Sequence, residues 1–307
     1  GVEAVAEAMG GIEPAFSYAM AAIRAGKHFV TSNKALVAAH GIELSAAARE
    51  MGVGFLFSAA CGGGVPFLHN LSIAVESDDI VSLGGILNGT TNYMLDAMQR
   101  RCLSYGEALK EAQKLGYAEA DPSADVSGLD ALRKIVLGSA VAYGVLPTQG
   151  LYNEGIENIT AEDVKRIQAR GLTCRLVAKC AAVPGGKVYT YVEPVLLKAS
   201  AAECSVLDNY NLARYEGKCS GPMVFIGQGA GRWPTASAVL RDLDCLLKGR
   251  LYMLKADCRQ GSADNEACRH SYYVRLPGSF TGCFPDVSQG WRSTGIRRGT
   301  IQRSGGC

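Results

Sequence analysis

The sequence lacks the features that would mark a protein for nucleic acid, membranes or export. Its 31 lysines and arginines almost balance its 29 aspartates and glutamates, and the net charge of +2 gives no electrostatic basis for binding nucleic acid or an anionic membrane. No apolar run is long enough to cross a bilayer, and the first residues lack the basic-then-apolar order of a signal peptide. We therefore expect a soluble cytoplasmic protein that acts on a small molecule.

Ordered arrangements of cysteine and histidine are missing as well. The 11 cysteines are scattered, their number is odd, and no two have C-x-x-C spacing. The four histidines show no metal-ligand spacing; they are His28, His40, His69 and His270. These patterns favour reduced thiols in a cytosolic protein over a disulfide framework or a zinc site.

A third absence concerns the G-x-G-x-x-G turn that normally follows the first strand of a dinucleotide-binding domain. The opening residues nevertheless read as strand, helix and strand, which is typical of a parallel α/β sheet with ligands at the strand carboxyl ends, here near Gly10 and Lys34. We interpret residues 1–66 as the second half of a doubly wound, Rossmann-like domain whose first half is missing. The alternative, an ancestral half-domain, would leave an apolar sheet edge open.

Residues 67–231 show helix and strand patterns in separate groups. One strand, IVSLGGIL, precedes two short helices and a longer helix over DVSGLDALRKIVLGSAVAYG. A capping-box pattern, T-A-E-D, begins at Thr160. Four segments with period-two alternation then predict a mixed sheet; they are LTCRLVAKCAAV, KVYTYVEPVLL, NLARYEG and PMVFIGQ. We expect an α+β unit that binds substrate and dimerises.

The chemistry of the chain concentrates in the stretch that ends at Lys134. Clustered carboxylates need a cationic partner, such as the ammonium group of a substrate. Lys134 follows Asp130 by one helical turn, so the two side chains share a helix face. A partly desolvated lysine can have its pKa drawn toward the working pH, as a general acid or base requires. The alternative is an exposed ion pair beside a solvated acidic loop. The acids are Glu119, Asp121, Asp125 and Asp130.

Two glycine-rich segments are further candidates for a site. In ACGGGVPF the backbone can approach a ligand or ion closely, and a flexible turn explains the segment equally well. GQGAG, which ends at Gly231, lies between a predicted strand and a predicted helix. It is a weak phosphate-binding pattern, and a tight structural turn is an equally good interpretation.

Five segments resemble homoserine dehydrogenases, in the same order and with compatible spacing, and they cover roughly residues 1–250. The resemblance implies an NADP- or NAD-dependent oxidoreductase that interconverts L-aspartate 4-semialdehyde and L-homoserine in threonine, methionine and isoleucine biosynthesis. It also implies a homodimer or homotetramer. The choice of cofactor stays open, because the residue that reads the ribose 2′ position belongs to the missing half. The segments are TSNKALVAAHG, GGGVPFL, GILNGTTNYML, LGYAEADPSADVSGLDALRK and GQGAGRWPTASAVLRDL.

The resemblance also implies roles for the residues of the acidic stretch. Lys134 is the acid/base group that protonates the substrate's carbonyl oxygen. Asp130 and Asp125 support the lysine and the substrate, and Glu119 holds the substrate's ammonium group. Lys34 lies near both the cofactor and the substrate.

Cofactor and cation contacts are implied in the same way. Gly10 and Gly231 lie beside the dinucleotide, and the backbone carbonyls of three residues bind a monovalent cation such as Na⁺. A family glutamate that assists the cation is replaced here by Ser58, a neutral and weaker ligand. The three carbonyls belong to Cys61, Gly63 and Val65.

The remaining residues are a helix and a tail. We expect residues 232–250 to form a helix that returns to the nucleotide-binding domain, and residues 251–307 to be a linker and an irregular tail. Within the tail, SYYVRL resembles the opening strand of an ACT regulatory domain, whereas the Gly-, Ser- and Arg-rich remainder is typical of disorder or of a frameshifted sequence.

Two alternative functions remain. One is a non-catalytic fragment of such an enzyme that folds only through residues 67–231 and dimerises. The other is a semialdehyde or phosphate-ester dehydrogenase of another kind, which would need a nucleophilic cysteine beside a histidine. Only Cys61 stands within the site motifs, so this second alternative is disfavoured.

Overall fold

The computed structural model describes residues 1–268, 270–272 and 299–301. The predictions for the tail beyond Tyr272, including most of the ACT-like segment, lie outside the described residues apart from one short strand. The helices are α1 (Ala15–Arg24), α2 (Lys34–Glu50), α3 (Phe67–Ala74), α4 (Gly89–Arg101), α5 (Tyr105–Lys114), α6 (Ser123–Val126), α7 (Leu129–Tyr143), α8 (Ala161–Gln168) and α9 (Arg232–Leu247). The strands are β1 (Ala4–Glu7), β2 (His28–Thr31), β3 (Phe55–Leu56), β4 (Ile80–Ile86), β5 (Val145–Gln149), β6 (Tyr152–Asn153), β7 (Leu172–Val183), β8 (Lys187–Lys198), β9 (Tyr210–Gly217), β10 (Gly221–Gln228), β11 (Arg259–Ser262), β12 (His270–Tyr272) and β13 (Gly299–Ile301).

A three-stranded parallel sheet in the order β1-β2-β3 forms the first unit. Helix α1 follows β1 in the chain, precedes β2, and buries Ala19 and Ile23. Helix α2 begins after Asn33, whose side chain accepts a hydrogen bond from the backbone N–H of Leu36. This N-cap satisfies one free amide of the first turn of α2. The parallel order confirms the predicted α/β class.

A six-stranded sheet in the order β10-β9-β4-β7-β8-β6 forms the second unit. Its strands pair antiparallel except for β6 and β8, which are parallel, so the predicted mixed sheet is confirmed. The long β7–β8 hairpin buries alternate residues such as Leu176, Ala178 and Cys180. The predicted capping box is also present: the side chains of Thr160 and Asp163 each bond the other's backbone N–H at the start of α8.

The predicted long helix from Asp125 to Gly144 is wrong, because the chain breaks it into α6 and α7. Gly128 between them has φ +83°, a left-handed conformation, and a Cβ there would lie 2.7 Å from Oδ1 of Asn153. The break places Asp125 and Asp130 on different helices. Helix α7 packs against β4, β7 and β8 on one side and against α2 and α3 on the other. It is buried along most of its length, but neither it nor any other described helix is long and apolar enough to cross a membrane.

Residues 251–268, the described part of the predicted linker, pack against the rest of the chain. Met253 and Leu254 are buried, and β11 pairs in parallel with β5. The Arg49 guanidinium donates to the Leu254 carbonyl oxygen and lies 4.0 Å from the centroid of the Tyr252 ring. These contacts attach residues 251–268 to α2. The sequence of this segment has no strong periodicity, so it did not indicate that the segment packs there. Helix α9 packs against β2 and a short 3₁₀ turn, Ser58–Ala60.

Candidate active site

A cleft of about 850 Å³ is lined by residues of both main units. The starts of α2, α4 and α7 line it, together with the glycine turns near residues 62 and 230. Most of the predicted site residues meet there, whereas Gly10, Cys61 and Val65 are not among its lining residues. The predicted residues in the lining are Lys34, Gly63, Glu119, Asp125, Asp130, Lys134 and Gly231.

Asp130 lies at the centre of the cleft between two lysines. Its Oδ1 is 3.1 Å from Nζ of Lys34, and its Oδ2 is 2.7 Å from Nζ of Lys134. The Lys134 side chain is only 10% exposed and also donates to the Leu87 carbonyl oxygen at 2.7 Å. These two contacts, counted among the described residues, leave one of the three ammonium N–H groups for a ligand.

The ionisation of this pair differs from what we expected. Burial disfavours the charged form of Asp130, but Lys134 and Lys34 outweigh it and hold the carboxyl pKa well below its ordinary value. Burial likewise favours neutral Lys134, but Asp130 outweighs it and raises the lysine pKa above its ordinary value. The expectation that the Lys134 pKa is drawn toward the working pH is therefore wrong, and the lysine is a cation that can donate a proton.

Asn88 connects the carboxylates, a role that the sequence analysis missed. Its Nδ2 donates to Oδ1 of Asp125 at 2.7 Å and to Oδ2 of Asp130 at 2.9 Å. Its Oδ1 accepts from the backbone N–H of Thr91 at 2.9 Å, so the same side chain caps α4. The hydroxyl of Thr90 is 3.1 Å from Oδ2 of Asp125. The available signal was the N-G-T-T run, where an asparagine before a helix is typical of an N-cap.

The four predicted acids do not form one cluster. Asp125 is partly buried, and burial raises its pKa, an effect opposed by the hydrogen bond from Asn88 and reinforced by the nearby charge of Asp130. Glu119 and Asp121 are exposed, and the Asp121 carboxylate accepts from the backbone N–H of Ser123 at the start of α6. Two acids therefore lie at the mouth of the cleft and two lie in its interior.

Gly10 lies outside the cleft, and Cys61 is buried behind Lys134, with its Sγ 3.8 Å from the Lys134 carbonyl oxygen. Burial raises the pKa of the Cys61 thiol to about 12, so the group stays protonated and is a poor nucleophile. This observation weighs against the alternative dehydrogenase with a cysteine nucleophile. Gly10 is exposed after β1, where its N–H donates to the carboxylate of Glu7 at 3.3 Å.

The loop predicted to hold a cation is occupied with internal hydrogen bonds. The backbone N–H and the hydroxyl of Ser58 donate to Asp242 on α9, at 2.8 and 2.5 Å, and the Val65 carbonyl oxygen accepts from the N–H of Phe67 at 2.8 Å. Burial raises the pKa of Asp242 to about 6, although its bonds to Ser58 favour ionisation. Among the described residues there is no group of three or more His, Cys, Asp or Glu side chains that could hold a metal ion.

Comparison with known proteins identifies the relatives of this chain. A family model described as homoserine dehydrogenase matches residues 66–243. Over 247 residues the chain is 43% identical to a homoserine dehydrogenase of Corynebacterium glutamicum, an alignment that covers 79% of this chain and 56% of that protein. The chain thus spans little more than half the length of that relative.

Two solved structures are similar as well. A homoserine dehydrogenase from Thiobacillus denitrificans matches with a TM-score of 0.82 at 36% identity, over 90% of this chain and 68% of that one. A hyperthermophilic archaeal homoserine dehydrogenase mutant in complex with NADPH matches with a TM-score of 0.70 at 28% identity, over 80% of this chain and 72% of that one.

Proposed function

Because this chain belongs to the homoserine dehydrogenase family, we propose that it interconverts L-homoserine and L-aspartate 4-semialdehyde with NADP or NAD. In the reducing direction the semialdehyde, the reduced cofactor and one proton give homoserine and the oxidised cofactor. The observation that carries the proposal is the buried Lys134–Asp130 ion pair in the cleft, with Lys34 as a second, partly exposed partner of Asp130. A buried cation beside an open volume is what protonation of a carbonyl oxygen requires.

Lys134 is the proton donor in this proposal. Its remaining N–H group hydrogen-bonds the aldehyde oxygen of the substrate, and its proton passes to that oxygen as negative charge develops there. The cofactor supplies the hydride to the carbonyl carbon. In the oxidising direction, neutral Lys134 accepts the proton from the substrate hydroxyl. Asp130 keeps the lysine charged before transfer, and the Leu87 carbonyl and Asp130 together fix the position of Nζ.

Glu119 and Asp125 are proposed to bind the ammonium group of the substrate. Both line the same cleft as Lys134. A bound ammonium cation would lower the pKa of Asp125, which burial raises in the unliganded protein. Lys34, 35% exposed, also lines the cleft and offers a positive charge to the substrate carboxylate or to the cofactor. Asn88 positions both interior acids relative to each other.

The cofactor is proposed to lie against the two glycine turns, which pack on each other and are joined by a hydrogen bond from the Gly64 N–H to the Gln228 carbonyl oxygen. A Cβ on Gly63 would lie 2.7 Å from the Gly229 carbonyl oxygen, so these turns leave no room for side chains and form a bare backbone wall beside Gly231. Such a wall suits the close approach of a flat cofactor ring. NADPH in the archaeal relative supports NADP as the first cofactor to test. Contact between Gly10 and the dinucleotide remains a prediction.

We derive no catalytic step through a monovalent cation. The carbonyls of Cys61, Gly63 and Val65 remain a predicted site, but Ser58 is already tied to Asp242 and supplies no charge. Rates of homoserine oxidation measured in sodium, potassium and choline chloride at equal ionic strength test this cation site. Faster oxidation in sodium or potassium than in choline chloride would support it.

A homodimer or homotetramer in the cytoplasm is part of the proposal. Strand β10 is an edge strand of the six-stranded sheet and exposes Met223, Val224 and Ile226, each at least 40% accessible. An exposed apolar edge strand favours association with another chain. Sedimentation velocity over a range of protein concentrations measures the oligomeric state.

The decisive assay follows absorbance of the reduced cofactor when homoserine and NADP are mixed with the protein. Homoserine-dependent reduction of NADP supports the proposal. A folded protein that reduces no cofactor under any condition, with NADP or NAD, would support the alternative of a non-catalytic dimerising fragment.

A further inference from the structure

The side chain of Asn211 is buried in the cleft without hydrogen bonds. Asn211 lies on β9, is 2% exposed and lines the same cleft as Lys134. Among the described residues, neither its Nδ2 nor its Oδ1 has a hydrogen-bond partner. The amide orientation does not change this conclusion, because both ends lack a partner.

Such a side chain is unusual in a protein interior. Buried amides are normally hydrogen-bonded, because an unpaired donor or acceptor keeps the full cost of losing water. Asn92 shows the ordinary arrangement for its donor group: it is 0% exposed, and its Nδ2 donates to the carbonyl oxygens of Val206, Asp208 and Tyr210. Asn211 has the same residue type and nearly the same burial, but its donor and its acceptor are both unmatched. A partner that is not a described residue would explain this.

The surroundings of Asn211 restrict where that partner can come from. Gly229 lies so close that a Cβ there would overlap the amide, and a Cβ on Gly89 would lie 3.4 Å from Oδ1. The amide is thus held between the glycine turn after β10 and the start of α4, and both line the cleft. Gly89 is two residues beyond Leu87, whose carbonyl oxygen binds Lys134. A partner that reaches the amide would therefore come from the cleft that Lys134 also lines.

We propose that Asn211 recognises the carboxamide of the nicotinamide ring through a pair of amide–amide hydrogen bonds. This inference rests on the proposed function. The side chain presents an unmatched donor and an unmatched acceptor side by side, and a carboxamide presents the complementary acceptor and donor in the same geometry. The substrate offers no such group, because its carboxylate only accepts and its ammonium only donates. Pairing at the carboxamide fixes the rotation of the ring and turns the neighbouring hydride-carrying carbon toward the substrate.

Asn211→Leu is the variant that tests this role, because leucine has a similar shape and no polar atoms. Its probes are NADPH and the analogue in which an acetyl group replaces the carboxamide. The analogue keeps the carbonyl acceptor and loses the N–H donor. Dissociation constants measured by calorimetry are the readout, because they do not depend on the different redox potentials of the two dinucleotides.

We expect the wild-type protein to bind NADPH about tenfold more tightly than the acetyl analogue, the effect of one hydrogen bond in a desolvated site. Asn211→Leu should bind the two equally. The melting temperature of unliganded Asn211→Leu should equal or exceed that of wild type, because the change removes two unmatched polar atoms. Asn92→Leu is the matched control: it should lower the melting temperature and keep the preference for the carboxamide.

Each outcome of these measurements either supports or overturns the role of Asn211. An Asn211→Leu protein that keeps the wild-type preference, or that loses stability as Asn92→Leu does, overturns the inference, the second result by showing that Asn211 has structural partners. Equal binding of the two dinucleotides by the wild-type protein overturns this inference alone and leaves the proposed function standing. Binding of neither dinucleotide by the wild-type protein refutes the cofactor part of the proposed function, and this inference with it.

Discussion

Two helices of this protein carry the same ion pair in opposite surroundings. On α7, Nζ of Lys134 is 2.7 Å from Asp130. At the end of α9, Nζ of Lys248, the C-cap residue, is 2.6 Å from Asp244, and both pairs have i,i+4 spacing. The α7 side chains are 10% and 12% exposed, and those on α9 are 70% and 54% exposed. The same spacing therefore produces the same contact, and burial alone separates a candidate catalytic pair from an ordinary surface pair.

Packing explains why only one pair is buried. Helix α7 lies between the six-stranded sheet and the helices α2 and α3, and the side chains of Asp130 and Lys134 at its start line the cleft. Its aspartate also meets a second lysine, Lys34, from the start of α2. The α9 pair lies near the end of its helix and faces solvent, where water screens the two charges.

The largest difference between the two pairs should appear in turnover. Lys134→Met keeps the aliphatic stem and removes the proton donor, so kcat should fall about a hundredfold to ten-thousandfold, the usual contribution of a general acid. Lys248→Met is the matched control and should leave kcat unchanged. Steady-state kinetics with homoserine and NADP measure both. Near wild-type turnover in Lys134→Met would remove this lysine from the mechanism.

The next difference should appear in stability. Asp130→Asn leaves two lysines near a buried neutral group, and breaking a buried ion pair typically costs about 3–5 kcal/mol of unfolding free energy. Asp244→Asn breaks a solvent-exposed pair and should lower the unfolding free energy far less than Asp130→Asn does. Chemical denaturation at neutral pH compares the two variants. Equal losses would mean that the α7 pair is as well solvated as the α9 pair.

A third prediction contrasts Asp130 with Asp242, which is equally buried but contacts Ser58 instead of a lysine. Its pKa of about 6, against an ordinary value of 3.8, means that the folded state holds this proton more tightly than the unfolded state. The contribution of Asp242 to the unfolding free energy is fully present below about pH 4. It is lost as the pH rises to about 6, by up to about 3 kcal/mol.

The variant Asp242→Asn tests that prediction, because the amide cannot ionise. The decrease in unfolding free energy between about pH 4 and pH 6 should be smaller in Asp242→Asn than in wild type. Urea unfolding at several pH values measures the slope for both proteins. Parallel slopes would show that Asp242 titrates normally.

The smallest effect should separate the two acids at the mouth of the cleft. Glu119→Gln should raise the KM for homoserine about threefold to tenfold, since it removes a partially solvated partner of the ammonium group. Asp121→Asn should change KM less, because the Asp121 carboxylate is occupied by the backbone N–H of Ser123. Identical KM values for the two variants would indicate that neither acid contacts the substrate.

Sequence reasoning predicted the elements better than their surroundings. The parallel strands of residues 1–66, the mixed sheet and the Thr160 capping box all follow from local patterns, and the structure contains them. The same reasoning joined α6 to α7, because the helical pattern continues through Gly128 and only the backbone conformation shows the break. It treated residues 251–268 as a linker, since a single short strand that pairs far away in sequence has no periodicity to detect.

The sequence by itself determined most of the helices and strands, the family, and the one-turn spacing of Asp130 and Lys134, because local patterns and short motifs carry them. Only the tertiary structure decided that Lys134 is cationic, that Lys34 shares its aspartate and that Asn88 links two acids. It alone left the Asn211 amide without a partner in the described residues. The reason is physical: desolvation and the charges of groups distant in sequence set a pKa and the hydrogen bonds of a buried group, and neither is written in local spacing.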